Sequence, residues 1–251
     1  MNRDSGLLCI WLFGFSFLLA FFHILPPFLT SFFLWPLSWG DALDFLTPFV
    51  VIPSAFMIYS RLRTISHSLS GQESSTHTLN IAGQIVLAAG FLCYAEGHGL
   101  HLSANSLARL LQDVRDSEIF KATYVYDEII SHFIWITGLF LISLSLILLA
   151  FKLSLLSLSW KKTVLLLTGA AFYGFTFTVE AIEGQTVVLA FPAATAGFLL
   201  AFFLYLRRRK QRVKNLLLLF FAIAYFLSLA LFTYWGLSRS GFPQFSELGW
   251  I

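Results

Sequence analysis

Three short stretches of this chain carry side chains that could do chemistry, and each is set in an otherwise apolar run. Cys93–Asn105 (CYAEGHGLHLSAN) holds Glu96, His98 and His101. Tyr126–His132 (YDEIISH) holds Asp127, Glu128 and His132, and Thr176–Gly184 (TFTVEAIEG) holds Glu180 and Glu183. Histidine combined with Asp or Glu is the usual ligand set for Zn²⁺, and also serves non-haem iron and manganese. The first expectation is therefore a metal site. His98, His101, His132 and Glu96 are its candidate ligands, and Asp127, Glu128, Glu180 and Glu183 its candidate carboxylate bases or further ligands. Zinc is the metal expected first, with iron or manganese as alternatives.

On an ideal helix of about 100° per residue, Tyr94, His98, His101 and Asn105 fall within about 60° of one another and form one polar face. Glu96 points almost opposite to His98. It shares an ion with His98 only if the backbone leaves the regular helix, which Gly97 and Gly99 would permit. Glu128 and His132 are i, i+4 partners, and Asp127 and Ser131 form a second pair about a quarter-turn round. Tyr173, Thr176, Glu180 and Glu183 make a stripe at i, i+3, i+7 and i+10. Ionisable groups within spans face the bundle interior or a wet cavity and are paired. Few Lys or Arg lie near these, so the cluster must be protonated, metal-bound or solvated.

The elements that would position these residues are membrane helices. Of 251 residues, 58% are hydrophobic and 12% charged, with 29 Phe, against about 25% charged in an ordinary soluble domain. Apolar runs near 20 residues long read as membrane spans. Their continuity argues against a β-barrel, whose strands alternate. The chain reads as all-α, a polytopic transmembrane bundle of about seven spans: 7–25, 43–60, 79–101, 126–150, 163–182, 186–206 and 215–236. It forms a single integral membrane domain without a soluble part. The first run lacks a small-residue cleavage site and is expected to be retained as a span. Between spans 3 and 4, Leu107, Leu110, Leu111 and Val114 recur with helical spacing, which predicts an interfacial amphipathic helix over about 104–116. It is either a connector or a lid over a lipid-accessible site. Cys9 and Cys93 lie in apolar segments and read as packing residues. No nucleic-acid signal exceeds the one basic loop at 207–214.

Orientation follows from Lys and Arg. With the N-terminus in the cytoplasm, twelve of them fall on the cytoplasmic side and four (Arg109, Arg115, Lys121 and Arg239) outside. The C-terminus then lies outside, and loops 61–78 and 207–214 lie inside. All three chemical patches land at the outer, non-cytoplasmic face, although they took no part in the charge count. His23, Asp41 and Asp44 fall there too. His23 reads as peripheral and the two aspartates as caps of span 2, while His67 and His77 lie across the membrane from the cluster. Trp35, Trp39, Trp160 and Trp235 read as interfacial anchors.

The function expected from this pattern is that of an integral membrane metalloenzyme, a metal-dependent hydrolase acting on a lipid or lipid-linked substrate. The ion would activate water, a carboxylate would act as general base, and Ser103, Ser131 or Tyr126 would polarise the substrate. Membrane lipids are the expected partners. The alternatives are an ion- or proton-coupled transporter or metal-binding membrane protein, and a carboxylate-rich iron enzyme of oxidative chemistry. In outline the pattern resembles the intramembrane amidohydrolases of the alkaline ceramidase type. Spans 6 and 7 lack the late HxxxH motif of that family, and the histidine boxes of membrane desaturases and the paired ExxH motifs of helical di-iron proteins are missing. No family is assigned on these residues.

Overall fold

A computed structural model describes residues 2–69, 76–151, 159–210 and 215–250, with side chains described within 6–66, 81–151, 159–209 and 215–250. The centres of the two loops expected in the cytoplasm and the side chains of His67 and His77 lie outside the described residues. The elements in order are α1 (Asn2–Ile24), a two-stranded hairpin of β1 (Phe32–Leu34) and β2 (Leu37–Ser38), α2 (Trp39–Leu69), α3 (Thr76–Leu110), α4 (Glu118–Tyr124), α5 (His132–Ala150), α6 (Trp160–Glu183), α7 (Val187–Lys210) and α8 (Leu216–Arg239). One wider π turn, Val125–Ser131, joins α4 to α5, so Glu118–Ala150 forms one continuous rod. Among the described residues, seven helical segments are long and apolar enough to cross a membrane. Large apolar side chains such as Phe49, Ile85, Leu92, Phe203, Phe226 and Leu237 are exposed on their outer faces. An apolar surface of that extent suits lipid rather than water.

Small residues set the helix contacts. The closest pairings are α3 with α5, α1 with α6, and α8 with α6 and α7. A Cβ placed on Gly138 of α5 would stand 2.4 Å from the Tyr94 backbone nitrogen, and one on Gly90 of α3 would stand 2.9 Å from the Ile142 nitrogen. Gly97, which the sequence offered as a point of departure from the helix, instead stays in a regular α-helix. There it lets α3 lie against Trp135, 2.6 Å from where its own Cβ would be. Small-residue seams of this kind replace the hydrophobic effect as the source of helix association in lipid. Between the helices an aromatic core forms around Tyr173, Phe177, Phe220, Phe221 and Tyr225, all buried. Ser143 shares a hydrogen bond with the Tyr173 hydroxyl there.

Three elements differ from expectation. The polar stretch 61–78, expected as a loop, is largely helical: α2 runs on to Leu69 and α3 begins at Thr76. The amphipathic stretch about 104–116 is not a separate helix: α3 runs on to Leu110, and a 3₁₀ turn at Gln112–Val114 leads to α4. Leu107, Leu110 and Val114 are exposed, so the apolar stripe is the outward side of α3 and its turn. Residues 240–250 fold back over the end of α6 and α8. Trp235 of α8, expected to anchor at the interface, is buried under this segment. Its indole N–H donates to the Pro243 carbonyl at 3.1 Å, and its ring lies 4.7 Å from that of Phe245.

Candidate functional site

The polar face of α3 is the spine of the site, and each of its four members reaches a different neighbour. Tyr94, fully buried, donates its hydroxyl proton to His23 Nε2 of α1 at 3.0 Å. His98 Nδ1 lies 3.0 Å from Asp44 Oδ1 of α2. His101 Nδ1 lies 2.8 Å from Asp127 Oδ1 of the π turn. Asn105 donates to Asp41 Oδ1 of α2 at 3.2 Å. A helical stripe at i, i+4, i+7 and i+11 can do this because its members stack along one side of the rod. The neighbouring helices then close around it at successive heights.

The π turn supplies the second wall. Its wider winding brings Asp127, Ser131 and His132 to the interior together, all three buried. Turns of this kind recur at functional sites because they re-aim side chains without breaking the helix. His132 Nδ1 donates to the Glu128 carbonyl oxygen at 3.0 Å, and the Ser131 hydroxyl donates to the Asp127 carbonyl. The expected Glu128–His132 pairing thus runs through the Glu128 backbone. The third wall is the α6 stripe, with Tyr173, Thr176 and Glu180 buried.

These contacts fix the imidazoles. His23 donates through Nδ1 to Leu19 O at 2.8 Å, so its Nε2 is the acceptor of the Tyr94 proton. His132 likewise uses Nδ1 as donor, leaving Nε2 with a lone pair. His98 turns Nδ1 to Asp44, and its Nε2 is sealed from solvent without a hydrogen-bond partner. The His101–Asp127 contact is close, but the ring N–H is not aimed at the oxygen, so it is an ion-pair contact rather than an aligned hydrogen bond. His98 lies flat against Trp135 at 4.5 Å, His132 packs edge-on to the same indole at 4.5 Å, and the rings of His101 and His132 are 4.9 Å apart.

A cavity of about 470 Å³ opens beside the spine. His23, Asp41, Asp44, His101, Glu128, His132, Glu180 and Glu183 all contribute to its wall. Asp41 is held in place by the Arg109 guanidinium fork and by the Ser38 backbone N–H at 2.6 Å. Ser38 Oγ in turn accepts from the Asp41 N–H at 3.1 Å. Ser38 is thus the cap of α2, and Asp41, expected from the sequence to be the cap, is its reciprocal partner one turn in. A second cavity of about 570 Å³, largely apolar, is walled by α1, α6, α8 and the C-terminal segment, with Phe28, Phe175, Val179, Leu231, Trp235 and Trp250 among its residues. The two cavities share His23, Pro27, Glu180 and Glu183.

No known protein family, curated protein or solved structure matches this chain.

Of the sequence candidates, His98, His101, His132, Asp127, Glu128 and Glu180 gather at this end of the bundle. Among the described residues, no three His, Cys, Asp or Glu side chains are placed to hold one ion between them. Glu96 is exposed on the opposite side of regular α3 and takes no part. Glu183 is a tail anchor: one carboxylate oxygen accepts from the Phe245 N–H at 2.7 Å and the Ser246 N–H at 3.3 Å, and the other from the Ser246 hydroxyl. Ser103 is exposed and bonded to Gly99 O, Ser131 is bonded to Asp127 O, and Tyr126 is exposed. Three participants were missed. Asp44 is the partner of His98 rather than a cap, His23 is central rather than peripheral, and Trp135 is the surface on which three of the imidazoles pack. The one available signal for His23 and Asp44 was their place at the same end as the cluster.

Proposed function

We propose that the chain is an integral membrane metalloenzyme, a metal-dependent hydrolase whose substrate is a lipid or lipid-linked amphiphile. The observation that carries this reading is the tethering of the imidazoles. His98 turns Nδ1 to Asp44 and His132 turns Nδ1 to the Glu128 carbonyl, which leaves Nε2 of each as the remaining donor, while His101 is held beside Asp127 by an ion-pair contact. Metal-bound histidines are held in this way, through the ring nitrogen that does not ligate. The sealed and unpartnered His98 Nε2 fits the same reading.

To hold an ion, His98, His101 and His132 would have to draw together from their present separate pairings, with Glu128 or Glu180 completing the set; zinc suits this donor chemistry, as do iron and manganese. When bound, such an ion supplies a water of lowered pKa and polarises a carbonyl. The chain's own residues orient His98 through Asp44 and His132 through the Glu128 carbonyl, pack the imidazoles against Trp135, and offer Glu180 as proton acceptor at the junction of the two cavities. That junction supports the substrate class: a polar head in the His-lined cavity and an alkyl chain in the apolar one. The Lys and Arg distribution supports an outward-facing site with the N-terminus in the cytoplasm.

A second reading, a proton- or ion-coupling cluster, is favoured by the separate pairing of His98 with Asp44 and His101 with Asp127. Hydrolysis assays on purified protein separate the two. A panel of long-chain esters and amides, each beside a water-soluble short-chain analogue, is expected to give chelator-sensitive turnover of the long-chain members that His132→Ala abolishes. Chelator-insensitive behaviour together with proton uptake into vesicles would select the coupling cluster.

A further inference from the structure

At the opposite end of the bundle, three cations converge on a cavity that the catalytic reading leaves unused. The cavity has a volume of about 740 Å³ and is walled by Arg61 of α2, by Lys161 and Lys162 of α6, and by Gly6, Leu7, Ile10 and Leu165. From Lys162 to Glu180 along α6 is about 27 Å at about 1.5 Å per residue, so this site and the His-lined cavity lie at opposite membrane faces. We propose that this cavity binds the phosphate headgroup of an anionic phospholipid, with its acyl chains lying along Leu7, Ile10 and Leu165.

The charge argument comes first. Arg61, Lys161 and Lys162 come from two helices, and the positive end of the α6 dipole lies among them. A phosphate diester offers the complementary charge, with acceptor oxygens for the Arg61 guanidinium fork and the Lys161 ammonium, while Lys162, which has contacts of its own, adds positive charge beside them. Gly6 makes room for this: a Cβ there would stand 2.5 Å from Lys162 Nζ, so the missing side chain lets the ammonium sit against α1. The apolar part argues for a lipid rather than a free anion. Ile10 is 58% exposed, and with Leu7 and Leu165 it continues the wall from the cations along the lipid-facing side of the bundle. A soluble phosphate makes no use of such a wall, whereas a diacylglycerol moiety covers it. Trp160, 72% exposed and next to Lys161, stands at the level where an aromatic ring meets headgroups. Basic pockets between spans are a recognised way of holding anionic lipid heads.

The test is native mass spectrometry of the full chain in detergent, titrated separately with dioleoyl phosphatidylglycerol, dioleoyl phosphatidylcholine and inorganic phosphate. Wild type is expected to hold one phosphatidylglycerol about a hundredfold tighter than phosphatidylcholine, from about fivefold for each of the three cations. The combined variant Arg61→Gln, Lys161→Gln, Lys162→Gln is expected to bind the two lipids equally. Arg207→Gln with Arg209→Gln, which removes two exposed charges from the same end of the bundle, is expected to keep the preference. Gly6→Leu, which displaces the Lys162 ammonium without removing charge, is expected to weaken phosphatidylglycerol binding and covers the case in which the triple variant does not fold. Equal binding of both lipids by wild type overturns the proposal. So does an equal loss in the Arg207, Arg209 control, which would mean diffuse attraction. Displacement of phosphatidylglycerol by millimolar inorganic phosphate overturns it as well, since the site would then serve a soluble anion.

Discussion

Replacing Glu183 by Ala should detach the C-terminal segment and leave the histidine site intact. Its carboxylate accepts from the Phe245 and Ser246 backbone N–H groups and from the Ser246 hydroxyl, while its backbone carbonyl accepts from the Gln244 side chain. A hydrogen bond to a charged group contributes about 1.5–3 kcal/mol, but Ser246 is exposed and water replaces much of what its two bonds supply. The Phe245 N–H, at 2.7 Å from the carboxylate, carries the largest share. The net cost to docking of the segment is then about 2–3 kcal/mol, a drop of about thirty- to a hundred-and-fiftyfold in the docked-to-open ratio. Trp235 under Phe245 and Trp250, and Arg239 between the Trp235 and Trp250 rings, oppose full release. Hydrogen–deuterium exchange of residues 244–250 in detergent should accelerate by that factor, with exchange in α3 and α5 unchanged. Glu183→Gln, which keeps one acceptor oxygen, should fall between. If exchange at 244–250 stays at the wild-type rate while metal content is lost, Glu183 belongs to the chemistry and its assignment as a tail anchor is wrong.

Arg109→Ala strands the Asp41 carboxylate, whose side chain is 4% exposed. Breaking a buried pair costs about 3–5 kcal/mol, discounted to about 2–3 because the Arg109 side chain is 20% exposed. A thermal-unfolding midpoint equal to wild type would contradict this, and Arg109→Lys should rescue only part, since the paired contacts need a planar fork. Gly138→Leu should separate α3 from α5, because its Cβ would meet the Tyr94 backbone at 2.4 Å, whereas Gly14→Leu, with nothing within 4 Å, should fold normally. Equal yields of folded protein from both would refute the close seam. Single cysteines at Ser74 and Ser117, in a chain whose own cysteines are replaced by Ala, should react with an impermeant reagent from opposite sides of the membrane; reaction from one side would end the proposed orientation.

The spans were legible because continuous apolar runs need no tertiary information. The α3 spine was legible for a related reason: Tyr94, His98, His101 and Asn105 lie on a regular helix, so an ideal wheel places them correctly. The same wheel also found the pairs of the next patch, Glu128 with His132 and Asp127 with Ser131, but it has no means of anticipating the π turn, where both pairs run through backbone carbonyls. The partners of the spine were hidden more deeply. His23 and Asp44 are 71 and 54 residues from Tyr94 and His98, the side chains they meet, and such pairings follow from helix packing rather than local pattern. The tail contacts of Glu183 were illegible because the segment that binds it, Gln244–Ser246, has no apolar periodicity to announce that it folds back. Glu96 shows the reverse: its angle on the wheel already set it apart from His98, and α3 stays regular.

The central claim is that the tethered imidazoles are metal ligands, and elemental analysis of metal per chain tests it most directly. Wild-type protein purified without chelator is expected to carry about one divalent ion per chain. His101→Ala and His132→Ala should each lose it while remaining inserted and folded, and His67→Ala should retain it. Wild type devoid of metal after reconstitution with zinc, iron and manganese, or full occupancy in His132→Ala, would contradict the account.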